Sequence, residues 1–375
     1  MSATTQATEG TASRPKGERL LELENLKKHF AIRKGLFARI IGHVRAVDGV
    51  SLTVRRGETL ALVGESGCGK STVGKVAAKL IEPSSGAIHL LGRDITSLST
   101  RRMRPLRREI QLIFQDPYSS LDPRMSAGDI IGEPLDIHGA ARGKARQEKI
   151  AGLMQRVGLS PSRANAYPHE FSGGQRQRIG IARALALNPS LIICDEAVSA
   201  LDVSIQAQVI NLLMDLQDEK RLSYLFIAHD LAVVRHICHR VAVMYLGRVV
   251  ESAAKDTLFS TPLHPYTEGL LAAVPLPEPR KRKQRQTILK GDVPSPIRPP
   301  PGCHFHPRCR YAMPRCSVDV PALREVVPGH WVSCHLHEDR VTFPLATPAS
   351  RGVLRTGKTS LVRKNRGDET RDHCP

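Results

Sequence analysis

The chain has 375 residues, enough for two or three domains, and its 41% hydrophobic and 24% charged content excludes wholesale disorder. A formal net charge of +19 favours an acidic partner surface, with lipid headgroups and nucleic acid as the usual candidates. No apolar run reaches the roughly 18 residues of a membrane helix, and residues 1–17 lack the apolar core of a secretory signal. We therefore expect a cytosolic protein that serves any membrane from its surface.

Strand and helix patterns alternate along the first three quarters of the chain. The apolar patterns predict strands at residues 20–26, 59–63, 88–91, 110–114, 191–194, 225–228 and 241–245. Helices are predicted at 71–81, 176–187 and 203–220, and the basic stretch 33–45 is predicted to be a loop. Such alternation predicts an α/β fold whose mostly parallel sheet carries helices on its faces.

Changes in composition divide the chain further. Residues 1–17 are predicted to be disordered, 18–274 to form the main domain, and about 118–175 to be a helical subdomain inserted in it, with 145–157 as its clearest amphipathic helix. Prolines and a basic run (280–285) make 275–301 a predicted linker. Residues 302–340 contain four cysteines, and the basic tail 341–375 is again predicted to be disordered.

A phosphate-binding loop occupies Gly64 to Ser71, after a predicted strand and at the start of a predicted helix. Its glycines let backbone N–H groups turn towards phosphate oxygens, and the helix N-terminus adds its dipole. Lys70 is expected to reach the β- and γ-phosphates, and the Ser71 hydroxyl to hold Mg²⁺. A chance match is expected in about one chain in a hundred of this length, and the strand–helix context lowers that further.

Two carboxylates end the predicted strand at 191–194. Asp195 is expected to orient the water shell of Mg²⁺, and Glu196 to act as the general base on the attacking water. Many strands end in an acid, so this pattern alone is a weak signal. It becomes a strong one because the same chain contains a phosphate-binding loop.

A second helix start lies at Ser172–Gln175. On the simpler interpretation Ser172 is only a helix N-cap. On the functional interpretation its hydroxyl, two glycine amides and the helix dipole face a γ-phosphate. If both helix starts cannot reach one nucleotide, the second must serve the nucleotide of a partner, which implies a dimer.

Together these motifs resemble the nucleotide-binding subunit of ABC transporters over residues 20–274. The resemblance implies the ABC cassette fold, with a mostly parallel sheet, an antiparallel β subdomain and an inserted helical subdomain. It makes Gln115 the Q-loop residue that senses Mg²⁺ and the γ-phosphate, Asp202 part of the D-loop that contacts the opposite subunit, and His229 the switch histidine. Phe30 is the candidate for stacking on adenine. The complete predicted ATP site is Phe30, Gly64, Glu65, Ser66, Gly67, Cys68, Gly69, Lys70, Ser71, Thr72, Gln115, Ser172, Gly173, Gly174, Gln175, Asp195, Asp202 and His229.

The sequence departs from the family pattern at two positions. Phe171 stands where leucine is most common, and Ala197 stands where proline is usual. Neither change removes a catalytic group, so Glu196, His229 and Gln115 remain the predicted catalytic residues.

Stretches 116–123, 203–208 and 263–275 resemble the ATPase subunits of oligopeptide and dipeptide importers, and 27–34 with 44–49 resemble the second of their two ATPases. The resemblance implies a peripheral protein on the cytoplasmic face of the inner membrane. Its implied partners are two transmembrane permeases, a second, related ATPase and an external peptide-binding protein, with an anionic membrane surface nearby.

Cys303, Cys309, Cys316 and Cys334 match the C-terminal extension of the same subunits, where four cysteines can hold a [4Fe–4S] cluster. Four thiolates suit an iron–sulfur cluster or tetrahedral zinc, and the lack of a tight C-x₂-C pair favours iron–sulfur. Four reduced thiols packed as small hydrophobes are the simpler alternative. Nearby histidines at 304, 306, 335 and 337 are alternative ligands.

Other functions stay open at this stage. A non-transporting ABC ATPase that acts on nucleic acid or ribosomes would suit the charge of +19, but the chain has one cassette and no basic patch interleaved with aromatics, so no nucleic acid is expected. A redox-sensing regulator would not need intact Gln115, Glu196 and His229. Related importers also carry nickel or other small solutes.

Overall fold

The computed structural model describes residues 17–35, 39–273 and 291–338, all within one compact unit. The predicted disorder of 1–16 and 341–375, and the basic run 280–285, lie outside the described residues. Among the helices that are described, none is long and apolar enough to cross a membrane.

The described strands fall into two sheets. In chain order the strands are β1 (Arg19–Lys34), β2 (Arg39–Arg55), β3 (Thr59–Val63), β4 (Ser85–Leu90), β5 (Arg93–Asp94), β6 (Ile110–Ile113), β7 (Leu191–Asp195), β8 (Ser223–Ala228), β9 (Arg240–Tyr245), β10 (Arg248–Ala254), β11 (Arg324–Val327) and β12 (His330–Val332). A four-stranded antiparallel sheet has the order β2-β1-β4-β5, and an eight-stranded sheet has the order β11-β12-β10-β9-β3-β8-β7-β6.

The α-helices lie between these strands and beside them. They are α1 (Lys70–Ala77), α2 (Thr100–Met103), α3 (Pro117–Ser120), α4 (Ala127–Ile137), α5 (Gly143–Arg156), α6 (Gly173–Leu185), α7 (Val203–Lys220), α8 (Leu231–Ile237), α9 (Lys255–Ser260) and α10 (Pro265–Ala272).

The larger sheet is parallel through its centre. β3 lies between β8 and β9, and β7 lies between β6 and β8, all in parallel pairs. β3, β7 and β8 are buried along their whole length, because helices on both faces leave no solvent side. The sheet is mixed, since β10 pairs antiparallel with β9 and β12. A sheet that is parallel through its centre is what the alternation of strands and helices predicted.

The prediction of a loop at 33–45 is wrong for residues 33, 34 and 39–45, which the structure describes as strand. β1 and β2 run on as an antiparallel ribbon in which Phe30 pairs with Val44 and Ile32 with Gly42. Ile40 and Ile41 are exposed there. The composition of this stretch is basic and irregular, which suggested a loop. An antiparallel two-stranded ribbon can hydrogen-bond its backbone without burying either face, so it needs no alternation of apolar residues.

The helices between α3 and α6 pack around one apolar centre. α4 begins at Ser126, whose hydroxyl accepts the Asp129 N–H at 3.1 Å. Ile131, Ile150 and Ile179 are buried within the same core cluster. The predicted helix at 145–157 is present as α5, and α6 begins three residues earlier than predicted because Ser172 caps it.

Residues 302–338, which we call the four-cysteine segment, extend the edge of the larger sheet. β12 pairs with β10 at Glu251–Val332 and Ser252–Trp331. Glu251, with 0% of its surface exposed, accepts the N–H groups of Leu263 and His264 at 2.7 and 3.0 Å. His330 Nε2 lies 2.7 Å from the same carboxylate. The buried acid therefore joins β10, the start of α10 and the four-cysteine segment.

Glu251→Ala is expected to lower the free energy of unfolding by about 3 kcal/mol, because it leaves those buried donors without an acceptor. Burial alone would raise the pKa of Glu251, but hydrogen bonds from His330, Thr267 and the two backbone groups hold the pKa below 4.5. The stabilisation by this carboxylate is thus complete above about pH 4.5 and is lost as the pH falls through the lowered pKa.

Urea denaturation between about pH 7 and pH 4 measures both effects. Glu148→Ala is the matched control, because Glu148 forms only an exposed pair with Lys144 at 3.7 Å. Equal losses in the two variants would contradict the role given to Glu251.

Candidate active site

The loop at Gly64 to Gly69 fits tightly against neighbouring backbone. Gly64 and Gly69 have φ of +153° and +105°, and a Cβ at these positions would lie 2.2 Å from the Met244 carbonyl oxygen and 1.9 Å from the Ala46 carbonyl oxygen. Only glycine fits either position. β3 delivers the chain into this loop and α1 leaves it at Lys70, so the N–H groups at the start of α1 face the space inside the loop.

Lys70 is buried at the centre of the loop. Its Nζ donates to the carbonyl oxygens of Gly64 at 2.8 Å and Glu65 at 3.0 Å. The same Nζ lies 3.9 Å from Oε1 of Glu196. The ammonium is therefore held in the loop by carbonyl oxygens, which the oxygens of a bound phosphate can replace.

Lys70, Gln115 and His229 all approach the Glu196 carboxylate. Gln115 Nε2 donates to Oε2 at 2.8 Å, and His229 Nδ1 lies 3.4 Å from the same oxygen. Glu196 directly follows β7 and has φ of +47°, a left-handed conformation that costs about 1 kcal/mol for a residue with a side chain. Its N–H is held by the Ile227 carbonyl at 3.0 Å. Neighbouring strands thus fix the carboxylate where a base could act.

Asp195 has the properties of a magnesium-site residue. It is buried, and its Oδ1 has no hydrogen-bond partner among the described residues. Burial raises the pKa of Asp195, although the Ser71 hydroxyl hydrogen-bonds to it and Lys75 lies nearby. A cation would satisfy both the unpaired oxygen and the carboxylate charge. Asp195 and Ser71 therefore fit a Mg²⁺ ion with oxygen ligands.

The residues Ser172 to Gln175 form the start of α6. Ser172 Oγ accepts the Gln175 N–H at 3.3 Å, and Gln175 Oε1 accepts the Ser172 N–H at 3.1 Å. A Cβ on Gly174 would lie 2.4 Å from Ile205 Cγ2. No hydrogen bond or ion pair between described residues joins this motif to the phosphate loop. The structure therefore brings Gln115, Glu196, His229, Asp195 and the loop together, but leaves this motif as a separate helix start.

For two further predicted residues, Asp202 and Phe30, no side-chain hydrogen bond or ion pair to the site is present among the described residues. Asp202 is the N-cap position of α7, with no side-chain cap bond. Phe30 is 39% exposed and lies under the Lys28 ammonium, 5.1 Å from its ring centre. It pairs with Val44, two residues before the Ala46 carbonyl that touches the phosphate loop. The adenine-stacking role of Phe30 stays a prediction.

The four cysteines line one cavity, together with Phe305 and His306. Burial raises the pKa of Cys303, Cys309 and Cys334, the last to about 12. These thiols are therefore neutral at physiological pH unless a cation binds. In the part of the chain that the structure describes, no three His, Cys, Asp or Glu side chains are placed to hold a metal ion. The iron–sulfur prediction is not confirmed.

Sequence analysis missed two contacts to the phosphate loop. Arg308 forms a two-pronged ion pair with the Glu65 side chain at 2.7 and 2.9 Å, and Tyr266 Oη accepts the Glu65 N–H at 2.9 Å. Arg308 is 243 residues from Glu65, and no periodicity or motif connects residues so far apart.

Comparison with known proteins agrees with this geometry. The ABC transporter family profile matches residues 47–199, and the profile of the oligopeptide/dipeptide transporter C-terminal region matches 250–316. A dimeric ATP-binding cassette bound to ADP and Pi is 28% identical, with a TM-score of 0.57 over 63% of this chain and 99% of that one. The chain is an ATP-binding cassette ATPase of the ABC transporter class.

Its relatives define the branch. The oligopeptide transport ATP-binding protein AppF of Bacillus subtilis is 56% identical over 85% of this chain and 98% of its own length. A probable peptide ABC transporter ATP-binding protein of Sinorhizobium fredii is 52% identical over 92% of this chain and 99% of its own length. The chain belongs to the family of ATP-binding subunits of ABC-type peptide importers.

Proposed function

We propose that this chain binds and hydrolyses ATP to power the uptake of peptides across the cytoplasmic membrane. The observation that carries the proposal is the meeting of Lys70, Gln115 and His229 at the Glu196 carboxylate beside the phosphate loop. The kinship with peptide-transport ATP-binding proteins supports the substrate class.

In the proposed reaction the loop N–H groups and Lys70 hold the triphosphate. Ser71 and Asp195 would hold Mg²⁺, which would supply neutralisation of phosphate charge. Glu196 Oε2 accepts the proton of the attacking water. His229 and Gln115, both within reach of that oxygen, orient the carboxylate and contact the γ-phosphate.

The separation of the Ser172–Gln175 motif from the loop supports a dimer of cassettes. We propose that this motif completes the nucleotide site of the opposite cassette, with Asp202 at the contact, and that the opposite motif completes this one. The dimeric cassette structure bound to ADP and Pi is consistent with this arrangement. ATP favours the closed pair because only the closed pair contacts it from both sides.

α6 offers a path from the nucleotide to the helices between α3 and α6. Arg176 stacks on Tyr118, 4.0 Å from its ring centre, and Arg183 Nη1 donates to the Ser120 carbonyl at 2.8 Å. Both contacts tie α6 to the segment that follows Gln115. We propose that closure moves this segment against a permease.

The proposed complex contains two permeases, a second, related ATPase and an external peptide-binding protein, at the cytoplasmic face of the inner membrane. Affinity purification of the chain from detergent-solubilised membranes, followed by mass spectrometry, tests this composition. Two multi-span permeases and a second ATPase are the expected partners. Ribosomal proteins or nuclease-sensitive nucleic acid in their place would contradict transport.

We also propose that the four cysteines hold a [4Fe–4S] cluster, with zinc as the alternative. Four thiols around one cavity are a suitable donor set for either. The spacing of the cysteines, which lacks a tight C-x₂-C pair, favours the cluster over one tetrahedral ion. When bound, the group would crosslink a segment with little apolar core of its own.

Anaerobic purification is expected to give a brown protein with thiolate-to-iron absorption and about four irons per chain. Cys316→Ser should abolish both signals, whereas Cys238→Ser, a buried cysteine outside the segment, should change neither. A colourless protein with one zinc per chain would contradict the cluster.

A further inference from the structure

The four-cysteine segment contacts the phosphate loop directly. Arg308 Nη1 lies 2.7 Å from Glu65 Oε2 and Nη2 lies 2.9 Å from Oε1, a parallel pair of charge-assisted hydrogen bonds. The Arg308 side chain is 6% exposed, so solvent screens the pair weakly.

The same loop residue is held from a second side. The Glu65 N–H donates to Tyr266 Oη at 2.9 Å, and the Glu65 carbonyl accepts from Lys70 at 3.0 Å. Backbone and side chain of one phosphate-loop residue are thus both fixed, by α10 and by the four-cysteine segment.

The backbone of Arg308 is held by a short helical turn that packs on buried aromatic rings. It ends a short helical turn in which the Arg308 N–H donates to the Phe305 carbonyl at 3.0 Å. Phe305 is buried against Tyr245 and Tyr266, with ring centres 5.3 and 5.4 Å away. The guanidinium therefore cannot follow Glu65 freely, and it fixes the carboxylate in one place.

The charge of Glu65 makes this contact matter for function. An acidic side chain in a loop that must receive a polyphosphate repels its ligand unless a cation neutralises it. The hydrogen bonds that Arg308 donates to the Glu65 carboxylate raise the pKa of Arg308 above its ordinary value, so the cation is present at any physiological pH.

We propose that Arg308 is a positioning residue for ATP, which holds the phosphate loop through Glu65 and cancels a carboxylate charge that would otherwise repel the phosphates. The proposal rests on the proposed nucleotide site and deepens it. Affinity for ATP then depends on the four-cysteine segment, which acts on the phosphate loop through Glu65.

Steady-state ATP hydrolysis by the purified complex, with KM for Mg-ATP and kcat determined separately, tests the proposal. Arg308→Ala should raise KM about tenfold, because an unpaired carboxylate is left in the loop, and should leave kcat within about twofold. The double variant Arg308→Ala/Glu65→Gln should have a KM about threefold below that of Arg308→Ala alone, since the repelling charge is gone.

Arg315→Ala is the matched control, because Arg315 lies in the same segment but pairs with Asp319 and Glu338 away from the loop. Its KM should not change. If Arg308→Ala lowers the melting temperature, Arg308→Lys separates the effect on ATP affinity from the effect on folding. Lysine keeps the charge but cannot make both hydrogen bonds. Arg308→Lys should therefore raise KM about threefold.

An unchanged KM in Arg308→Ala with an unchanged melting temperature would overturn the proposal. A double variant as weak as the single one would also overturn it, because a purely structural loss is not rescued by removing the carboxylate. Failure of the unmodified complex to hydrolyse Mg-ATP would instead contradict the proposed function itself.

Discussion

Glu196→Gln is expected to lower kcat for ATP hydrolysis by about a hundredfold or more while ATP stays bound. Glutamine has the size of glutamate and can keep the unusual backbone conformation of Glu196, but its amide cannot accept the proton of the attacking water. Oε2, which faces both Gln115 and His229, is the atom whose basicity is lost.

The measurement needs one precaution, because the second ATPase that we propose for the complex would contribute a nucleotide site of its own. The corresponding carboxylate of that partner is therefore replaced in both samples, and only residue 196 of this chain differs between them. The Glu196→Gln complex should retain ATP after gel filtration and stay closed. Unchanged turnover would contradict the role of Glu196 as the base.

Gly69→Ala is expected to abolish ATP binding and to lower the free energy of unfolding by about 3 kcal/mol. The added methyl group would lie 1.9 Å from the Ala46 carbonyl oxygen, and the φ of +105° is unfavourable for alanine. The loop can relieve the clash only by moving away from β2, which turns its N–H groups away from the phosphates.

Gly180→Ala in α6 is the control, since no described atom beyond the backbone of its own helix and its chain neighbours lies within 4 Å of its added methyl group. It should be neutral or slightly stabilising because alanine favours a helix. Fluorescent nucleotide binding and urea denaturation report the two effects. ATP binding by Gly69→Ala with the affinity of the unmodified protein would show that the loop does not need this close approach.

The parts of the site that sequence predicted are those with local chemistry. A strand, a glycine-rich turn and a helix start are neighbours in the chain, so the local sequence of Gly64 to Ser71 is enough to predict the geometry of the loop. Asp195 and Glu196 follow a fully apolar strand, and parallel neighbours bring strand ends to one edge. Gln115 and His229 needed the family resemblance, because a lone glutamine or histidine carries no local signal.

The contacts that sequence did not predict join residues far apart in the chain. Glu251 and His330 are 79 positions apart, and Glu65 and Arg308 are 243 apart. Each pair depends on where the four-cysteine segment adds to the edge of the sheet. The hydrophobic periodicity of the sequence does not reveal which strand this segment pairs with. The strand residues 33, 34 and 39–45 were missed for a related reason, because they bury no apolar face that would show as alternation.

The central claim is that ATP hydrolysis at Glu196 drives peptide uptake. The most direct test is uptake of a labelled peptide into proteoliposomes that contain the purified complex and the peptide-binding protein, with ATP on the side of this chain. We predict uptake that requires ATP and is lost in the Glu196→Gln complex with the partner carboxylate also replaced. Peptide uptake at an equal rate without ATP, or in that doubly substituted complex, would contradict the account.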